Sequence, residues 1–365
     1  MTSFLTVFLI FIGLSLMIVL HECGHFLMAR FFGLRVDEFG FGLPPRLWGK
    51  KIGETIYSIN WLPFGGFVKI FGEDGAEALI NKEERGGDAL DAKRSFRSAK
   101  PLKKALIVAA GVIMNFLFGW LLLWFVLVIG TPQALLIVDV REGSPAFHGG
   151  LMVNDVVTEM KVNYESLIFS PETGYGVEDA VQFINDHRGE AIQFRIQRGG
   201  EITESNVVPR VNPPEGEGAL GIAMSGAGLT PQNPFSAVIL SFKEALNITK
   251  AIALGIIDFI ARIITGLPVE GVVGPIGIIN LAITSGRMGL VYVVQLLALI
   301  SLNLAVLNII PFPALDGGRL LFVIIEKIKG SPLSIKTESF INGIGFIALL
   351  ILMVLITLKD VSMLL

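Results

Sequence analysis

The chain has 365 residues, of which 52% are hydrophobic and 17% charged, and its mean hydropathy is +0.67. That is too apolar for an ordinary soluble protein, yet the middle is too charged for a chain lying wholly in lipid. A net charge of −3 argues against nucleic acid as a partner, and one cysteine excludes an internal disulfide or a cysteine-based zinc cluster.

Phe4–Leu20 is an uncharged run, long enough to begin a membrane-spanning helix over residues 1–32. It lacks a basic n-region and no small-x-small cleavage site follows, so it is expected to be retained. Before the polar boundary at Arg30 come His21-Glu22-Cys23-Gly24-His25. Histidines at i and i+4 share a helical face, as two ligands of one metal ion must. Glu22 beside them is placed to act as base on a metal-activated water. At about 1.5 Å per residue, His21 lies roughly 13 Å inside Arg30. An ionised carboxylate at such depth costs about 2.5–3.5 kcal/mol or more, which packing alone would not explain. Cys23 is about 200° round the helix from His21 and reads as packing.

Residues 33–72 contain Gly40-Phe41-Gly42, Glu54–Trp61 and Gly65-Gly66-Phe67-Val68-Lys69-Ile70. They read as short strands with glycine punctuation, forming a membrane-associated β region; the pattern alone equally fits a solvated cytosolic hairpin. Residues 73–101 read as a polar cytoplasmic connection. The basic residues between the first two spans place this side in the cytoplasm and the N-terminus outside. The second span covers 102–130, and its Asn115 is either a helix-to-helix hydrogen bond or part of the site lining.

Residues 132–211 read as a separate extracytoplasmic α+β unit, with strands at Leu135–Val140 and Ala191–Gln197 and a helix at Gly176–Asp186. Gly143-Ser144-Pro145-Ala146, Gly149-Gly150-Leu151 and Asp155-Val156-Val157 resemble the start of a bacterial PDZ domain. Asn154 replaces the usual glycine, and Tyr164–Tyr175 reads as an insertion. Such domains bind extended peptides along a free strand edge. Residues 212–234 read as a Pro/Gly-rich linker. Over 235–287 an amphipathic surface helix precedes a Gly-rich segment, because Lys243, Glu244, Lys250, Asp258 and Arg262 interrupt the apolar run. A third span carrying the third metal ligand covers 288–318, a cytoplasmic loop 319–340, and a fourth span 341–359.

Catalytic zinc sites use three protein ligands, so the two histidines need one more. Asp316, in Asn308-Ile309-Ile310-Pro311-Phe312-Pro313-Ala314-Leu315-Asp316-Gly317-Gly318, follows an apolar span whose helix the prolines break. If 235–266 does not cross, the third span delivers Asp316 to the side of the histidines. If it did cross, about 15–20 Å would separate them. The predicted fold is therefore an α-helical polytopic membrane protein with four spans, a membrane-associated β-hairpin or sheet, and one inserted PDZ-like α+β domain.

The two motifs together, in this order, resemble the site-2 protease family of intramembrane zinc metalloproteases, most of all its bacterial regulator-of-sigma-E branch. Gly65–Lys69 and Gly274-Pro275-Ile276-Gly277-Ile278 also match. The resemblance implies Zn²⁺ held by His21, His25 and Asp316, with Glu22 catalytic. It implies substrate contacts at Asn308 and along the β region, here Gly65, Gly66 and Phe67. It also implies an inner-membrane enzyme, both termini outside and the site toward the cytoplasm, cutting single-pass membrane proteins such as an anti-sigma factor or a remnant signal peptide. Two tandem PDZ domains are usual in that branch, and one is found here. Other readings are a non-enzymatic PDZ membrane adaptor and a membrane zincin using a downstream glutamate as third ligand.

Overall fold

A computed structural model describes residues 3–73, 93–131, 134–169, 173, 175–198, 201–214, 216–267 and 273–362. Most of the predicted 73–101 connection lies outside them. The chain divides into two compact units, one of Met1–Leu123, Phe242–Gly286 and Val293–Leu365, the other of Trp124–Ser241 and Arg287–Tyr292.

In the first unit, helix α1 (Ser3–Phe31) is followed by strands β1 (Val36–Ile52) and β2 (Thr55–Ile70) and by helix α2 (Pro101–Ile129), whose last six residues belong to the second unit. Among the described residues four helices are long and apolar enough to cross a membrane, as predicted. They are α1, α2, α7 (Leu290–Ile309) and α9 (Ile335–Ser362). Small residues let α1 and α2 cross closely: a Cβ on Gly24 would come 2.5 Å from the Ala110 carbonyl oxygen. Met17 and Ile10 of α1 pack with Val293 and Leu297 of α7 in one apolar cluster. At the other end of α1, Ala29, Leu34, Val36, Ile70 and Ile107 seal the base of the sheet against both helices.

β1 and β2 are long strands bent back on themselves rather than several short ones. Residues 38–41 of β1 pair antiparallel with 66–69 of β2 on one side, and lie beside 56–59 on the other, where both numberings rise together. The return of β1, residues 46–52, then pairs with 55–60. Across the sheet the order is thus the end of β2, the start of β1, the start of β2 and the end of β1. The buried Glu38 carboxylate fixes the fold-back, accepting from Arg46 and from the Ser58 hydroxyl at 2.6 Å each. Leu43, Leu47, Trp48, Trp61 and Leu62 stay exposed beyond the bend.

Helix α5 (Pro234–Thr265) is not one of the four apolar spans. Ala245, Ile248 and Ile252 pack against Phe116, Trp120 and Leu123 of α2 and Ala298 and Leu302 of α7. The Gly-rich segment after it is more ordered than expected, forming helix α6 (Pro275–Met288). Proline suits the first helical position. The buried Asp360 of α9 caps the same end, accepting from the Gly277 N–H at 2.9 Å and the Gly274 N–H at 3.3 Å. Half of the predicted 319–340 loop is helix α8 (Asp316–Lys329), which continues from α7 after a short irregular passage. Glu326 of α8 accepts from the buried Lys104 of α2 at 2.8 Å through both carboxylate oxygens.

The second unit is a six-stranded antiparallel sheet with two helices. Its strands are β3 (Ala134–Val140), β4 (Val156–Val162), β5 (Glu165–Ile168), β6 (Ile192–Arg198), β7 (Glu201–Val207) and β8 (Ile222–Ala227). The order is β7-β6-β4-β3-β8, with β5 on β4. Short helix α3 (Pro145–His148) starts at Ser144, whose hydroxyl accepts from the Phe147 N–H. Helix α4 (Val177–Asp186) contributes Ala180 and Ile184 to a core with Leu135, Ile137, Phe194 and Ile196. The segment predicted as linker thus supplies a strand, β8, paired with β3 over six positions. Its glycines and prolines masked the apolar alternation of Ile222 and Met224. Asn154 takes the left-handed conformation (φ 73°) that the usual glycine would adopt, as asparagine can at modest cost.

A candidate metal centre

His21 and His25, one turn apart on α1, are both buried. The His25 Nε2 lies 3.1 Å from the His21 Nε2. Asp316, the first residue of α8, brings its Oδ2 to 2.9 Å from His21 Nε2 and 3.4 Å from His25 Nε2. The turn into α8 is tight enough that a Cβ on Gly317 or Gly318 would run into the carbonyls of Ile310 and Phe312. Residues 295 positions apart in sequence thereby meet around one point.

The donor set fits a zinc ion. Ligand atoms 2.0–2.1 Å from a tetrahedral centre are about 3.3 Å apart, close to the spacing seen here. The His25 Nδ1 sits 2.9 Å from the Ile107 carbonyl, which can only accept, so the proton belongs on Nδ1 and a neutral ring leaves Nε2 a bare lone pair. That lone pair faces a second imidazole and the Asp316 Oδ2, which is buried with no partner in hydrogen-bond geometry among the described residues. A cation among the three would relieve this crowding of acceptors. Asn115 of α2 lies 3.1 Å from the His21 Nδ1, while its own Oδ1 is buried without a partner among the described residues. Turning the amide over presents that oxygen to a protonated Nδ1 and frees the His21 Nε2 in the same way.

Glu22 is held from the sheet: the Val68 N–H of β2 donates to its Oε2 at 3.1 Å. Just before Val68, a Cβ on Gly65 would press on Ile18 of α1 and one on Gly66 on Val19. The predicted Gly65-Gly66-Phe67 stretch is thus where the sheet meets the helix carrying the histidines. Gly111 of α2 is a further requirement: a Cβ there would come 2.5 Å from the His25 ring and 2.7 Å from that of His21. Asn308 is half-buried in the last turn of α7. Among the described residues Cys23 takes no part in the cluster of His21, His25 and Asp316. The sequence did not reveal the roles of Val68 and Ile107, which act through the backbone. Gly24 and Gly111 were the readable signal, as small residues inside apolar spans.

Apolar spanning helices around a His-Glu-x-x-His helix with an incoming aspartate define the class of a membrane-embedded zinc metalloprotease. Residues 9–352 match the model of Peptidase family M50, and the chain belongs to that family. A Clostridium perfringens protein named as a zinc metalloprotease is 30% identical, covering 96% of each chain. The regulator of sigma-W protease RasP of Bacillus subtilis is 26% identical, covering 98% of each. The regulator of sigma-E protease RseP of Escherichia coli is 27% identical over 96% of this chain and 97% of its own. That last alignment runs over 450 positions, so the Escherichia coli chain carries sequence without a counterpart here. The protein is accordingly a membrane zinc metalloprotease, with Zn²⁺ as its cofactor.

Proposed function

We propose that His21, His25 and Asp316 hold the zinc, that Glu22 is the catalytic base, and that the enzyme cuts single-pass membrane proteins within their membrane segment. The observation that carries this is the meeting of three ligand-type atoms within 4.8 Å of one another, beside a carboxylate pinned by the sheet. When bound, zinc supplies Lewis acidity, polarising the scissile carbonyl and making water acidic enough to attack near neutral pH. Glu22 takes the proton of the attacking water on its carboxylate and returns it to the leaving amine. The Val68 N–H holds that carboxylate still during the exchange. Asn308, in the last turn of α7, carries an amide that can both donate to and accept from a peptide backbone, and it is assigned to the substrate near the scissile bond.

A helical substrate has its carbonyls tied into i→i−4 bonds and must unwind before attack. The sheet supports the reading because an edge strand can receive the unwound backbone. Of its two outer edges, that of residues 46–52 carries Arg46, Lys50 and Lys51, the charges that discourage strand addition. The other, residues 66–70, borders Glu22 and begins with glycine. Exposed Trp48, Trp61 and Leu47 suit a sheet dipping into an inner membrane. The second unit is read as the PDZ-like screen outside the membrane, passing substrates already shortened there.

The test uses purified protein in detergent with two single-pass substrates, an anti-sigma factor fragment and a remnant signal peptide. Wild type is expected to cut at least one within its apolar segment. Glu22→Gln should retain zinc while the rate falls about 10²–10⁴-fold. His21→Ala and Asp316→Ala should lose both metal and activity, and chelation should do the same reversibly. Undiminished cleavage by Glu22→Gln would overturn the assignment.

A further inference from the structure

Asp316 is reached through a passage, Pro311-Phe312-Pro313-Ala314-Leu315, that belongs to no helix. Its two prolines have no N–H to donate, which leaves three backbone donors. The Phe312 N–H is taken by Ile310 and the Leu315 N–H by Phe312. The third, of Ala314, is met from outside: it donates to the Asn342 Oδ1 of α9 at 3.1 Å. Ala314 has φ 73°, a left-handed conformation that a residue with a Cβ keeps only when its surroundings hold it. One turn beyond Asn342, the buried Gly345 lies directly on Pro313, where a Cβ would come 2.5 Å from the Pro313 Cβ and carbonyl oxygen. Gly343, between them in sequence, has open space around it. So α9 touches the passage at two points, one polar and one steric, and both act on the two residues that set the direction of the chain into Asp316.

We propose that Asn342, seated by Gly345, is a positioning residue for the metal centre. It fixes the left-handed turn at Ala314 and through it aims the Asp316 carboxylate at His21 and His25. The inference rests on the reading of those three side chains as zinc ligands. An acceptor oxygen is what the site demands, so aspartate at 342 meets it and alanine does not.

The experiment measures Zn²⁺ affinity of the full chain in detergent against a chromophoric chelator, with visible absorption of the Co²⁺-loaded protein reporting ligand geometry. Asn342→Ala is expected to bind Zn²⁺ about 10–100-fold more weakly, as loss of an outer support to a ligand does, with a changed Co²⁺ spectrum. Asn342→Asp should restore both. Gly345→Ala should weaken binding and Gly343→Ala should not. Wild-type affinity and spectrum in Asn342→Ala would overturn the proposal, as would failure of Asn342→Asp to restore them or equal loss in Gly343→Ala and Gly345→Ala. Should Asn342→Ala not fold, the two glycine variants decide alone. Asp316→Ala keeps the two levels apart. If it binds zinc like wild type, the ligand reading fails; if it loses zinc while Asn342→Ala does not, only the positioning role fails.

Discussion

At the scale of single residues, the centre depends as much on what is missing as on what is present. Gly111 has no side chain because two imidazoles occupy the space a methyl group would need. Gly111→Ala is therefore expected to displace the rings and lower zinc content at unchanged helicity, checked by metal analysis beside far-ultraviolet circular dichroism. The proposed centre was legible: His21, Glu22 and His25 stood out by their spacing, and Asp316, at the proline-broken end of a span, by its pairing with that motif. The supports were not. A backbone amide such as that of Val68, or a carbonyl such as that of Ile107, has the same chemistry at every position, so only the fold reveals which one is used. Asn115 stood between two readings, and its place beside His21 favours the site.

At the scale of elements, the sequence pattern gave four apolar helices of spanning length, but it ran the third nine residues past its end at Ile309, started the fourth six residues late, and misjudged three joints. Each had glycine or proline at a critical point. α6 was hidden because the side chain capping it, Asp360, lies 83 positions from Gly277. β8 was hidden because it pairs with a strand some 90 positions earlier, and the bend of β1 and β2 looked like breaks between short strands. The join of α2 to α8 is a buried ion pair. Lys104→Met should leave Glu326 half-buried and unpaired, costing roughly 3 kcal/mol, which thermal unfolding in detergent would register. Lys104→Met with Glu326→Leu should recover most of the loss, because both charges are then gone.

At the scale of the whole molecule, the convergence of His21, His25 and Asp316 constrains how often the chain crosses. The C-terminal ends of α1 and α7 share one side, and the N-terminal half of α2, with Ile107 and Asn115, lies there too. If α1, α2 and α7 all cross, an even number of crossings separates α2 from α7, in keeping with the expectation that α5 does not cross. In a Cys23→Ala background, Ser331→Cys is expected to label from one face of the membrane and Glu201→Cys from the other. Labelling from the same face would contradict that count. The bond from Val68 to Glu22 carries one more consequence. Outward-pointing amides on a strand edge recur every second residue, and the one at 68 is already engaged. A guest backbone laid along this edge must therefore find its anchoring bonds on either side of that position. With Glu22 as the proposed base, its carboxylate would mark the zero of a ruler, and which peptide bond is severed would follow from how the guest is phased against it.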